Sequence, residues 1–396
     1  MKRKSIAVLL AALVLLALAT PALAAPPVRI SYNGASLGSD VPPMVVGGRT
    51  LVPARLISEA LGADVSWDAR TRTATVVKGQ QVITLTAGST QATRNGAAVQ
   101  LDAPATIYNG RLMLPLRFFA ENFGATVGWD AATRTALVDF RETRDGKTAA
   151  QYLAEAAAAL NTHQSYKFAG DMSFTVSGTQ NGISQSMNMG MTMAGASRPP
   201  LETYMTMTMH APQAPSVPAQ STTMEVFFDG TQMWTKGPGQ EWQSMPLPVS
   251  QQALINQSAI NQSPDQILRQ IEQFGIVTGF GNDVTENGTT YTVVVAKLDQ
   301  QKYLAGMREM LQDPQSGLSS GEAAQFEEAM RQLFGNMTLD FSYRLYVNQA
   351  TRDMEKVRLL GYLGMDMGEG AAMRMDLDFA LRMYDFDQPV TFPQVP

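Results

Sequence analysis

The sequence predicts an α+β protein: a duplicated small strand-helix-hairpin module followed by a curved antiparallel β-sheet (half-barrel) with packed helices. Three observations carry this. A long stretch near the front returns 62 positions later. Beyond residue 165, apolar and polar residues alternate with period two through most of the chain. Segments of helical periodicity, at 148–160, 264–274 and 300–334, interrupt those runs.

Gly48-Arg49-Thr50-Leu51-Val52-Pro53-Ala54-Arg55 reappears as Gly110-Arg111-Leu112-Met113-Leu114-Pro115-Leu116-Arg117. The match continues through Glu59 to Ala63 against Glu121 to Ala125, and through Trp67 to Ala74 against Trp129 to Ala136. Pro53 and Pro115 suit the first helical position, which needs no amide donor. Leu56, Ile57, Ala60 and Leu61 then share a helical face, as do Phe118, Phe119 and Phe123. Gly62 and Gly124 fall where a left-handed cap is expected. A short apolar run follows (Val65 to Trp67, Val127 to Trp129). Asp68 and Asp130 next open a turn in which they accept backbone amides. One copy is too small to bury its own helix face and Trp, so the copies are expected to pack on each other. Trp67 and Trp129 are read as core, the alternative being a platform for sugars.

These residues resemble the copper amine oxidase N-terminal (stalk-like) domain family, over about 28–140. The resemblance implies a non-catalytic module common on secreted and surface bacterial proteins. It does not imply oxidase chemistry, because such a centre needs three His ligands and a modifiable Tyr, and this chain has only His163 and His210.

Basic Lys2-Arg3-Lys4, the apolar run from Ile6 to Ala19 and Ala22-Leu23-Ala24 form a signal peptide, 1–24, with cleavage expected before Ala25. The apolar run is short for a membrane span and no later stretch is long enough, so no transmembrane anchor is expected. Without cysteine there is neither a disulfide nor a lipobox. Loss of the leader moves the formal charge from −5 to about −8, and with no basic stripe this argues against nucleic acid as a partner. The protein is therefore expected to be secreted, or retained on the envelope by non-covalent contacts.

Arg141 to Lys147 reads as a linker, and 148–396 as the second domain. Thr148 to Leu160 is Ala-rich and helical, with Tyr152, Leu153, Ala156 and Leu160 on one face. Strands follow at Phe168 to Val176, Met187 to Met193 and Tyr204 to Met209, with a loop at 211–222. Asp229-Gly230 turns a hairpin toward Trp234 and Trp242. A helix from Pro264 to Phe274 carries Asp265 at its start and Ile267, Leu268 and Ile271 as a stripe. Further strands are Tyr291 to Ala296 after the turn Glu286-Asn287-Gly288, Leu339 to Val347, Met354 to Tyr362 and Met373 to Tyr384. This order, with the Trp234 to Trp242 hairpin and the closing Tyr384-Asp385-Phe386-Asp387, resembles the LolA/LppX-like lipoprotein-carrier superfamily. That resemblance implies lipids or acylated proteins held between a concave sheet and helices.

The methionine ladders, Met187/189/191/193 and Met205/207/209, are the unusual feature, since spacing two puts each set on one face of a strand. Three readings stand: an ordinary core, an adaptable apolar wall for a lipid-like ligand, or a Cu(I) site of soft thioethers. The apolar-wall reading names Met189, Met191, Met205, Met207, Phe341 and Tyr343 as ligand-binding candidates. His163 and His210 are read as lone polar surface residues. Asp376 and Asp378 are read as solvated outer surface rather than an acid/base pair. Gly364 to Glu369 lacks the oxygen pattern of a calcium loop. No nucleophile elbow, P-loop or zincin motif occurs, so neither catalysis, metal nor cofactor is implied. The expected function is non-catalytic binding or carriage of an apolar ligand at the cell envelope. The alternative is a structural or adhesive protein whose domains bind cell wall or protein partners.

Overall fold

A computed structural model describes residues 27–39, 41–180, 183–199, 202–210, 221–245, 263–298, 337–368 and 371–396, with isolated positions between 302 and 328. The expected signal peptide, the 211–220 part of the expected loop and most of the expected helices at 300–334 lie outside the described residues. The chain is mostly β-sheet with few helices.

At the front, Asn33 and Gly34, both at positive φ, turn β1 (Arg29–Tyr32) into β2 (Ala35–Ser36). β3 (Met44–Val46), β4 (Arg49–Pro53), α1 (Ala54–Ala60), β5 (Asp64–Asp68) and β6 (Thr73–Lys78) follow. A meander the sequence reading did not assign, β7 (Gln81–Thr86), β8 (Gln91–Arg94) and β9 (Ala97–Gln100), extends the β5-β6 hairpin into one sheet. Then come β10 (Thr106–Tyr108), β11 (Arg111–Pro115), α2 (Leu116–Asn122), β12 (Thr126–Asp130) and β13 (Thr135–Asp139).

The local chemistry is as the residues dictate. Pro53 and Pro115 stand at the cap position, one residue before the first helical turn, in extended conformation. Gly62 (φ +74°) and Gly124 (φ +90°) end the helices in the left-handed region. Asp68 accepts the amides of Arg70 (2.8 Å) and Thr71, and Asp130 those of Ala132 (2.9 Å) and Thr133. Hydrogen bonds from the Thr71 and Thr133 side chains, then the amides, hold both carboxyls below the usual range. β4 and β11 pair antiparallel, Val52 opposite Leu114, so that Leu56, Ile57 and Leu61 bury with Leu116 and Phe119 in one core.

Residues 141–148 hold a two-stranded hairpin, β14 (Thr143–Arg144) with β15 (Lys147–Thr148). Thr148 then caps α3 (Ala149–Leu160) through a reciprocal box with Gln151. A 12-stranded antiparallel sheet, curled as a half-barrel, follows. Its strands are β16 (Tyr166–Gln180), β17 (Ile183–Arg198), β18 (Glu202–His210), β19 (Ser221–Asp229), β20 (Met233–Lys236) and β21 (Gln243–Met245), then β22 (Ile276–Phe280), β23 (Val284–Glu286), β24 (Thr289–Leu298), β25 (Met337–Asn348), β26 (Met354–Gly368) and β27 (Ala371–Tyr384). The spatial order is β21-β20-β19-β18-β17-β16-β27-β26-β25-β24-β22, with β23 also on β24. α4 (Pro264–Gln273), boxed by Ser263 and Gln266 with Pro264 at its first turn, precedes β22. α3 lays Ala149, Tyr152 and Ala156 on Phe280, Val294 and Val347 at one end of the sheet.

The front part sits against edge strand β22. Lys78 Nζ donates to the Phe280 carbonyl (2.7 Å), and Gly79 N donates to Asn282 Oδ1 (2.6 Å). Asn282 Nδ2 donates in return to Asp64 Oδ2 (2.7 Å) and to the Val77 carbonyl (3.1 Å). Val277 of β22 joins the front core. An edge that would otherwise be an open template for pairing is thereby partly covered.

Candidate functional site

Cross-strand register decides which side chains share a face. Phe174 faces Met189 and Met172 faces Met191; on the next ladder Met191 faces Met209, Met193 faces Met207 and Gly195 faces Met205. In the other direction Met172 faces Phe379, which faces Leu359, which faces Tyr343. Phe174 leads likewise through Leu377 and Gly361 to Phe341. Met189, Met191, Met205, Met207, Phe341 and Tyr343 therefore all lie on one face. They do not form one cluster. Met205 and Phe341 are five strand spacings apart, roughly 24 Å along a flat sheet, with Met172, Phe174, Leu377 and Phe379 between.

None of the ladder methionines is among the buried side chains, and Met187 (45%) and Met209 (49%) are exposed. Burial grades toward α3: Phe341 and Tyr343 are half-buried, and Val347 and Val294 are fully buried. Burial and the neighbouring Tyr303 push the Tyr343 hydroxyl above its usual range. His210 is on the opposite face, where its ring meets Thr192 Oγ1 (3.4 Å), so it cannot join the thioethers as a ligand.

The opposite face is ionic between β24 and β27. Lys297, 4% exposed, pairs with Asp340 (2.8 Å) and with Glu59 of α1 (3.0 Å). Burial alone would lower its pKa, but the two carboxylates more than offset that and raise it. Arg344 reaches Asp64 of the front part (2.6 Å). Arg358 pairs with Asp378 (2.9 Å) and Arg374 with Asp376 (2.6 Å). Between this face and the front part lies a cleft of about 850 Å³, lined by Trp67 and Arg111 on one side and Arg344, Tyr346 and Asp376 on the other. Asp376 and Asp378 are thus ion-paired, and Asp376 faces the cleft.

Residues 31–138 match the copper amine oxidase N-terminal domain, and residues 148–389 match a family of unknown function, DUF6612. The chain belongs to the DUF6612 family. No curated protein matches it. Solved structures similar to this DUF6612 protein include LprF from Mycobacterium bovis, at 13% identity over 62% of this chain and 96% of that one, with a TM-score of 0.28. The lipoprotein LppX from Mycobacterium tuberculosis gives 11% identity over 61% and 97%, also at 0.28. A LolA superfamily protein from Nitrosomonas europaea gives 11% over 60% and 94%, at 0.17. Both resemblances drawn from the sequence reappear among these similarities.

The DUF6612 chain does not fit a copper amine oxidase centre. His163 and His210 fall outside the matched front region, and each is held elsewhere. His163, read from sequence as a lone surface residue, is in fact a staple: Nδ1 meets Asp387 (2.9 Å), Nε2 meets Asp353 (2.8 Å), and the ring stacks near Phe386. Burial lowers its pKa, but hydrogen bonds to Asp387 and Asp353 outweigh burial and raise it. Trp67 and Trp129 also depart from expectation, being 44% and 42% exposed rather than core. The helix that should cover them is too short. Seven helical residues span about 10 Å, whereas the five-residue strands β5 and β12 reach about 17 Å, so Val65 and Val127 are covered and the Trp beyond is not.

Proposed function

We propose that this DUF6612 chain is a secreted, non-catalytic envelope protein that binds or carries an apolar, lipid-like ligand on the methionine-rich face of its curled sheet. The observation that carries this is the common face of Met189, Met191, Met205, Met207, Phe341 and Tyr343, with thioethers that stay partly exposed rather than packed. An apolar face left partly exposed suits an interaction surface. Flexible thioethers adapt to chains of differing shape. In this reading residues 1–24 direct export, 28–140 are a duplicated stalk-like module, 141–147 join it, and 148–396 form the carrier domain.

The test is displacement of a fluorescent fatty acid from the full chain. Met191→Asp and Met207→Asp should each weaken probe binding at least tenfold, because an unpaired carboxylate on that face resists desolvation. Thr206→Asp, on the opposite face of β18, should leave binding unchanged while reporting on fold. A wild-type chain that binds no apolar probe and yields no co-purified lipid would remove the proposal.

A further inference from the structure

The front part carries two grooves related by the 62-residue offset. In the first, the start of α1 and Trp67 meet Ile107 and Arg111 of the other copy; this is the cleft beside the ionic face. In the second, the start of α2 and Trp129 meet Val45 and Arg49. Most of the large apolar side chains that the front part exposes line these grooves: Trp67 and Ile107 in one, Trp129 and Val45 in the other. A half-exposed Trp forgoes much of the stabilisation that burying its large ring would give. Leaving it so at two matching positions points to a flat partner for the ring.

The two grooves differ in charge. On the front side of the first, Glu59 and Asp64 balance Arg55 and Arg111, and Lys297 and Arg344 of the sheet pair with the two acids. The second is lined only by front residues. Where the first has Asp64, the second copy has Thr126. Arg49, Arg117 and Arg134 line it with one lining acid, Asp102, which Arg49 takes at 2.5 Å; outside the lining, Glu121 stands 3.8 Å from Arg117. Arg134 stands at φ +53°, and its Nε is shielded from solvent without a hydrogen-bond partner. A buried donor left without an acceptor is costly. At about 320 Å³ the groove is at the lower end of small-ligand pockets, room for one or two sugar rings.

We infer that the second groove binds a carboxylated saccharide, with the C–H face of a sugar ring on Trp129 and its carboxylate on Arg134 and Arg117. The guanidinium fork suits a carboxylate better than a lysine would. This site is independent of the apolar face.

Isothermal titration of the full chain with trigalacturonate and with uncharged chitotriose tests it. Trigalacturonate should bind at least tenfold more tightly than chitotriose, and more weakly as salt rises from 50 to 500 mM. Trp129→Ala and Arg134→Gln should each weaken it at least tenfold, whereas Trp67→Ala should not, and none should alter fatty-acid binding. If Trp129→Ala fails to fold by thermal scan, Trp129→Phe and Arg117→Gln take its place, the former holding affinity and the latter losing it. Equal binding of both sugars, no binding of either, or affinity unchanged in the Trp129 and arginine variants overturns the inference. A protein partner captured through Trp129 with no sugar binding would overturn it too.

Discussion

Gly62→Ala and Gly124→Ala form a matched pair that measures how firmly the front part is seated on the sheet. Both glycines end a helix at positive φ, +74° and +90°. An alanine at either pays about 1–2 kcal/mol for the left-handed conformation. Their surroundings differ. A Cβ on Gly124 would meet only Phe140 Cε2, at 3.8 Å. A Cβ on Gly62 would run into the Phe280 carbonyl, 2.7 Å from its carbon and 3.2 Å from Gly281 N. Those atoms cannot easily give way, since Lys78 holds the Phe280 carbonyl and Gly281 N donates to Val293 O (2.8 Å). Overpacking adds about 1–3 kcal/mol, so Gly62→Ala should cost about 2–5 kcal/mol against about 1–2 for its counterpart. Urea unfolding of the two variants gives both values, and limited proteolysis around 278–283 reports loosening of the seat. Equal costs, with unchanged proteolysis, would mean that the Gly62 to Phe280 contact is not kept in solution and would refute the reasoning.

Lys297→Met should destabilise by about 2–4 kcal/mol, because it leaves Glu59 and Asp340 facing each other partly buried without their cation; the thermal midpoint checks this, and no change would mean the pairs are water-filled. His163, with its folded pKa raised above the ordinary 6.5, contributes stability that is complete below that value and is lost as pH rises through the folded pKa. Thermal midpoints of wild type and His163→Asn should therefore converge as pH rises above 6.5, and parallel curves would exclude the staple.

Much of the local structure was legible because its causes are local. The Ala-rich run from Thr148 and the apolar stripe after Pro264 announce their helices, Gly62 and Gly124 end theirs, and Asn287-Gly288, both at positive φ, turns the hairpin its sequence predicts. Alternation told that each methionine ladder has one face. It could not tell that the ladders of β17 and β18 share theirs, since register depends on partners rather than on either strand alone. The same distance hid His163, whose partners lie 190 and 224 residues away. One long-range link did leave a trace. Lys297 closes the apolar run Val293-Val294-Val295-Ala296, and a lysine in such a strand has to find a carboxylate. It finds Glu59, 238 residues earlier.

The two faces of the sheet demand different cover, and this ties the front part to the proposed carrier. Thioethers and rings need an apolar partner, whereas Lys297, Arg344 and Arg374 need carboxylates. Intrastrand and cross-strand acids satisfy Arg358 and Arg374, but Lys297 and Arg344 reach across to Glu59 and Asp64. The front part therefore anchors on the β22–β25 side, the same side on which α3 closes the apolar face over Val294 and Val347. The methionines of β17 and β18 stand at the other side, far from both anchors, with Met187 and Met209 exposed. A ligand on this face would accordingly enter over the ladders and be held toward Phe341 and Tyr343. Charged substitutions at Met191 and Met207 should then slow its entry as well as weaken its binding, while truncation at Phe341 should act on retention alone.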